Sequence, residues 1–182
     1  MNGRGSVGAL VVMIGAGLLA GCMDQGGGAR QDMGARLEIL DLLNSYSHHI
    51  DHGLVEEYAS LFTDDAVFEL HFPGAPTTSF SGSEQIKSLA QGAKERRESG
   101  IQRRHLLTNV VFREQTDDSA TIACYLLLTS TTDSELTFAF SGQYDGWLVK
   151  GENGWKISKW VLTSDSGIVA PASSEEPESE AG

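Results

Sequence analysis

From Gln102 onward the chain is a series of long strand-like runs joined by links too short to do anything but reverse direction. The runs cover His105 to Arg113, Ser119 to Ser130, Leu136 to Lys150 and Trp155 to Thr163. Their links, Gln115-Thr116-Asp117-Asp118, Thr132-Asp133-Ser134 and Gly151-Glu152-Asn153-Gly154, are made of turn-forming polar residues and glycine. A parallel neighbour would need a crossover of about a dozen residues, so these consecutive strands are expected to be antiparallel.

Helices come before that sheet. Met33, Leu37, Leu40, Leu43, Ser47 and Ile50 recur at helical spacing, and Gly53 supplies a stop. At about 100° per residue, Asp51 falls inside this apolar stripe, close to Leu40 and Met33. Tyr46 falls at its margin, nearly in line with Ile39, while Asp41, His48 and His49 point elsewhere. Leu54, Val55, Tyr58, Leu61 and Phe62 form the apolar set of a second, short helix. A strand over Asp65 to Phe72 is broken by Pro73-Gly74, and Phe80-Ser81 leads into a third helix capped by Ser83 and closed by Glu95 to Gly100. Helices first and strands afterwards make an α+β order rather than a βαβ alternation. The expected product is a strongly curved antiparallel β-sheet with three helices from the N-terminal half packed on its concave face.

The ends carry a different kind of information. Arg4 precedes a short apolar stretch, Val7 to Leu19, that is too brief and too glycine-rich for a membrane span. It runs into Leu19-Ala20-Gly21-Cys22, which resembles a bacterial lipoprotein signal. That resemblance implies removal of residues 1–21 and lipidation of Cys22. With Met23 rather than Asp next, it also implies an outer-membrane anchor facing the periplasm. Residues 22–32, with Gly26-Gly27-Gly28, read as a flexible tether, 33–166 as the folded domain, and 167–182 as a solvated acidic tail. The formal net charge of −12 argues against a nucleic-acid partner, which needs a cationic face. With Cys22 lipidated, Cys124 has no disulfide mate and reads as a small buried hydrophobe.

Several stretches together resemble the SnoaL-like branch of the nuclear transport factor 2-like superfamily. They are Leu43-Asn44-Ser45-Tyr46 leading to Asp51-His52-Gly53, and Leu61-Phe62-Thr63-Asp64-Asp65-Ala66-Val67-Phe68. Phe80 to Ile86, Arg104 to Asn109, and Gly142-Gln143-Tyr144 ahead of Gly154-Trp155-Lys156-Ile157 follow in the same order. The resemblance implies a cone-shaped fold with a small-molecule pocket, and it implies pairing through the sheet as a homodimer. In members that act as dehydratases, a Tyr and an Asp of the first long helix meet a His of the first long strand, and Tyr46, Asp51 and His105 stand at those positions. His105 would take a proton beside a carbonyl, Tyr46 would donate to the developing enolate, and Asp51 would orient the imidazole. Dehydratase members also support the His from the next strand. Here that stretch, Tyr125 to Ser130, offers no ionisable side chain but the Tyr125 phenol.

On the strand of His105 a period of two places Leu107, Asn109 and Val111 on the same face, so Asn109 is expected in the pocket, with Tyr125 and Phe68 as further substrate contacts. No cofactor and no metal is required, and His48, His49 and His52 diverge too far around a helix to ligate together. Three uses stay open: a cofactor-free dehydratase or isomerase acting on a hydrophobic hydroxy-carbonyl or polycyclic compound, a non-catalytic carrier of a hydrophobic ligand, and a dimeric scaffold. Asp51 could equally serve as a helix-end acceptor, and His105 could belong to a basic strand edge with Arg103 and Arg104.

Overall fold

The computed structural model describes residues 26–167. The expected signal segment, Cys22 and the tail beyond Gly167 lie outside those residues. In chain order the elements are α1 (Gly26–His52), α2 (Val55–Ser60), β1 (Phe62–His71), β2 (Thr78–Ser81), α3 (Gly82–Glu98), β3 (Gln102–Gln115), β4 (Ser119–Thr132), β5 (Glu135–Gly151) and β6 (Gly154–Ser164). Helix α1 thus begins at Gly26, inside the stretch that the sequence assigns to a tether.

The strands form one six-stranded sheet in the order β2-β1-β6-β5-β4-β3. Strands β3 to β6 make the expected antiparallel meander, and β1 pairs β2 antiparallel. The expectation of a wholly antiparallel sheet is corrected at one seam, where β1 lies parallel to β6, with Phe68 opposite Trp160 and Leu70 opposite Leu162. Short links dictate the direction of consecutive strands only. β1 and β6 are separated by a helix and four strands, so no turn constrains them.

The curvature has identifiable causes. Register shifts interrupt β3–β4 after Thr108 and after Phe112, β4–β5 after Leu128, and β5–β6 after Trp147; each such irregularity bends and twists the strand that carries it. Gly146 faces Trp160 across the β5–β6 pair, and a Cβ there would stand 2.1 Å from Cζ3 of that indole. Only glycine lets Trp160, the largest fully buried side chain, lie flat against the next strand.

The core fills the concave side. Along β4 a period of two sends Ile122, Cys124, Leu126 and Leu128 inward against Ile39, Leu43, Tyr46 and Ile50 of α1 and Ile86 and Ala90 of α3. Burying each large aliphatic side chain stabilises the fold by roughly 1.5–3 kcal/mol. The buried stripe of α1 is not the one expected. Met33 and Leu37 are 61% and 57% exposed, whereas Ile39, Leu42, Leu43, Tyr46, Ile50 and Asp51 face the sheet. This helix offers two overlapping apolar stripes. The sheet takes the one that includes Ile39, which moves Tyr46 from the margin to the centre of the interface.

Candidate functional site

Helix α1 ends in a way that fixes the position of Asp51. The Leu54 N–H donates to the His49 carbonyl at 3.0 Å and the Gly53 N–H to the Ile50 carbonyl at 3.3 Å. With Gly53 at φ 67°, this is the left-handed Schellman closure. Asp51 therefore lies in the last turn of α1, one residue before its end at His52, and its carboxylate reaches β3. There the His105 backbone N–H donates to Oδ2 at 3.0 Å, and His105 Nδ1 lies 2.6 Å from Oδ1. One residue thus occupies both oxygens of one carboxylate. Gln102 ties the same ends together, its Nε2 donating to the Asp51 carbonyl at 3.0 Å and to the Arg103 carbonyl at 2.7 Å.

The chemistry of the couple follows from its donors and acceptors. An ionised carboxylate only accepts, so the shared proton sits on Nδ1, and in the neutral imidazole this leaves the lone pair on Nε2. The side chains of His105 and Asp51 are only 14% and 6% exposed. In such surroundings a lost partner costs more than it would in water, on the order of 1–3 kcal/mol for a buried polar group and more for a charged one.

Beside the imidazole stands a cluster of phenols. The Tyr46 ring meets His105 edge-on at 6.4 Å between centroids and packs on Tyr58 at 5.3 Å and Trp160 at 5.5 Å. The Tyr46 and Tyr144 hydroxyls are hydrogen-bonded at 3.1 Å. Burial pushes the Tyr46 phenol up to about 12, against the opposing pull of its hydrogen bond to Tyr144. Burial likewise holds Tyr58 and Tyr144 well above the ordinary phenol range. All of them are therefore neutral hydrogen-bonding groups near neutral pH, able to donate to an oxygen that gains charge.

These groups open onto a cavity of about 170 Å³. Phe68, Leu70, Phe72 and Leu128 give it apolar walls; Tyr46, Tyr144, Asp51 and His105 give it polar ones. The structure thus brings Tyr46, Asp51, His105 and Phe68 to one cavity.

Asn109 and Tyr125 are corrections to the sequence reading, since neither lines it. Asn109 takes φ 55° at the register shift between Thr108 and Val111, which breaks the alternation that Arg103, His105 and Leu107 obey. Beyond the bulge Val110 and Phe112 pack on the core, while Asn109 and Val111 are exposed. Tyr125 is 57% exposed because the inward parity of β4 belongs to Cys124 and Leu126.

Sequence reasoning missed Tyr144, Arg96 and the inward aim of Arg103. The spacing Arg103-x-His105 on one strand face was the available signal for the last of these. Cys124, 2% exposed, sits in the core as expected, its thiol pushed up to about 12 by burial and then by the charge of Asp145.

Known proteins corroborate the architecture. A family model described as a SnoaL-like domain matches residues 31–161. A Catenulispora acidiphila protein solved in complex with S-DNPA superposes with a TM-score of 0.62 at 28% identity, covering 73% of this chain and 95% of that one. A Mycobacterium tuberculosis protein of unknown function superposes at 0.64 and 25% identity, covering 80% and 78% of the two chains. A Novosphingobium aromaticivorans protein assigned as a scytalone dehydratase does so at 0.64 and 20% identity, over 80% and 99%, a likeness of fold alone. No curated protein matches significantly.

Proposed function

The chain belongs to the SnoaL-like domain family, and from that premise we propose that it is a cofactor-independent dehydratase or isomerase acting on a small hydroxy-carbonyl compound. The observation that carries this reading is the 2.6 Å contact between His105 Nδ1 and Asp51 inside a cavity lined by neutral phenols. Held by Asp51, His105 takes a proton from the carbon beside the carbonyl through Nε2. The electron pair moves onto the carbonyl oxygen, where a Tyr46 or Tyr144 hydroxyl donates to it. When the enolate collapses, the C–O bond of the β-hydroxyl breaks. The imidazolium returns its proton to the departing oxygen, so one water leaves and the protein regains its starting state. Positioned acid–base groups of this kind give about 10²–10⁴-fold each.

The cavity also bears on substrate size. About 170 Å³ lies below the usual 300–1,000 Å³ of sites for drug-sized ligands. That favours a mono- or bicyclic compound over a larger polycycle. A carrier of hydrophobic ligands is the second reading, favoured by the apolar side chain that β4 sets opposite His105, Leu128.

Water loss from a panel of β-hydroxy ketones and aldehydes, followed by the absorbance of the conjugated product, separates the two. Turnover by the wild type should fall at least about 10²-fold in His105→Ala and in Asp51→Asn. Equal turnover in all three proteins would refute the assigned roles, and binding without turnover would favour the carrier.

The proposal extends to the assembly and its address. A lipid on Cys22 would hold the domain at the envelope, and two copies would meet through the outer face of the sheet. The exposed Leu106, Tyr125, Leu127 and Phe138 on that face support the pairing.

A further inference from the structure

We infer that the cavity takes an organic carboxylate, with Arg96 and Arg103 holding the anionic end of the substrate beside the His105–Asp51 couple. This deepens the proposed function and rests on the same cavity being a substrate site. Arg96 lies in the last turn of α3 and Arg103 near the start of β3. Between them the chain reverses tightly, with the Ile101 N–H donating to the Arg96 carbonyl and the Gly100 N–H to the Arg97 carbonyl, both at 3.0 Å. Gly100 makes the turn possible at φ 92°. The reversal delivers both arginines to the lining of the cavity.

Neither is neutralised there. The Nε atoms of Arg96 and Arg103 are buried without a hydrogen-bond partner. Among the described residues no carboxylate forms an ion pair with either side chain. Yet this chain has 25 acidic residues against 13 Lys and Arg, and Lys87, Arg113, Lys150 and Lys159 all find carboxylates. Among the described residues the one carboxylate that lines the cavity, Asp51, has both oxygens engaged by His105. Burial, reinforced by the neighbouring charge of Arg96, pulls Arg103 below the usual guanidinium range. Two partly buried cations that line one cavity without a carboxylate partner leave a place that an anion fills favourably.

The chemistry of the anion follows from the donors and their placement. Guanidinium groups present planar forks that match a carboxylate. Arg103 and His105 alternate on one strand face, so their Cα atoms are about 6–7 Å apart. A carboxylate on Arg103 therefore places carbons only a few bonds away opposite the imidazole. The rest of the cavity is apolar and small, which suits a ring or short chain bearing one acid group.

Titration calorimetry of the full-length protein with benzoate, its neutral isostere benzamide and inorganic phosphate tests this. Benzoate should bind about ten-fold or more tighter than benzamide, and Arg96→Gln and Arg103→Gln should each abolish that preference. His105→Ala should still prefer benzoate, so unchanged turnover with retained preference would remove the acid–base reading and leave the anion site standing. Equal binding of benzoate and benzamide would overturn the inference, as would a preference that survives both arginine substitutions. Phosphate binding more tightly than benzoate would overturn the carboxylate assignment. Should a glutamine variant fail to fold, the lysine variants keep the charge but lose the fork, and unweakened benzoate binding by them would overturn the arginine roles.

Discussion

Asp51 and the three buried tyrosines solve opposite problems. The carboxylate is a charge that the fold must satisfy, and His105 does so through its backbone N–H and its ring together. The phenols of Tyr46, Tyr58 and Tyr144 are neutral groups that the fold must keep neutral, because burial raises the cost of ionising each one. That asymmetry makes the protein sensitive to alkali. A phenol whose folded-state value is raised from 10.0 to about 12 contributes stability that is fully present below pH 10 and is lost as pH rises toward 12. For Tyr46 alone the loss is on the order of 2–3 kcal/mol. Urea midpoints compared at pH 8 and pH 11 should show the wild type losing stability and Tyr46→Phe losing distinctly less. An equal loss in both proteins would mean that this phenol is solvated in the folded state.

At the scale of elements, the site depends on how α1 stops. The closure at Gly53 puts Asp51 in the final turn, and it also brings α1 against α3, since a Cβ on Gly53 would stand 2.9 Å from the Lys94 Cα. Gly53→Ala must therefore adopt an unfavourable φ and push α3 away at once. The expected cost is about 1–2 kcal/mol or more. Turnover should fall as well, because Asp51 is two positions upstream, and denaturation with parallel rate measurements reads both.

Much of this level was legible in the sequence. Gly53 as the stop, the helices before the strands, and the meander with its turns follow from local patterns, whereas the meeting of the end of α1 with the strand of His105 was implied by the family resemblance. What was not legible arises where two patterns compete or where contact is distant. Helix α1 has two usable apolar stripes, and only the sheet decides between them. The period of two along β3 is sound as far as Leu107 and then fails at Asn109, a residue type that tolerates positive φ and so accommodates a bulge. Tyr144 joins Tyr46 from β5, across the whole span of the domain, and no local spacing signals such a contact.

At the scale of the whole molecule, the two faces of the sheet have different fates. The concave face is filled by helices and the cavity. The outer face carries Leu106 opposite Leu127 across the β3–β4 pair, with Tyr125 next to them and Phe138 and Trp147 on β5, all exposed. A strongly acidic chain keeps separate copies apart by charge, so an apolar face of this kind stays uncovered only at a cost in solubility. The proposed pairing covers it. Sedimentation equilibrium should therefore show a dimer, and Leu127→Glu, which sets a charge at the middle of the face without touching the cavity, should give a folded monomer. If the monomer keeps its turnover, the pocket is complete within one copy. The proposed anchor is separable from both properties. Cys22→Ser should move the protein from the membrane to the soluble fraction on fractionation while its melting temperature stays unchanged, because the packed core lies downstream of that residue. A Cys22→Ser protein that still sediments with membranes would mean that something other than a lipid at this cysteine holds it there.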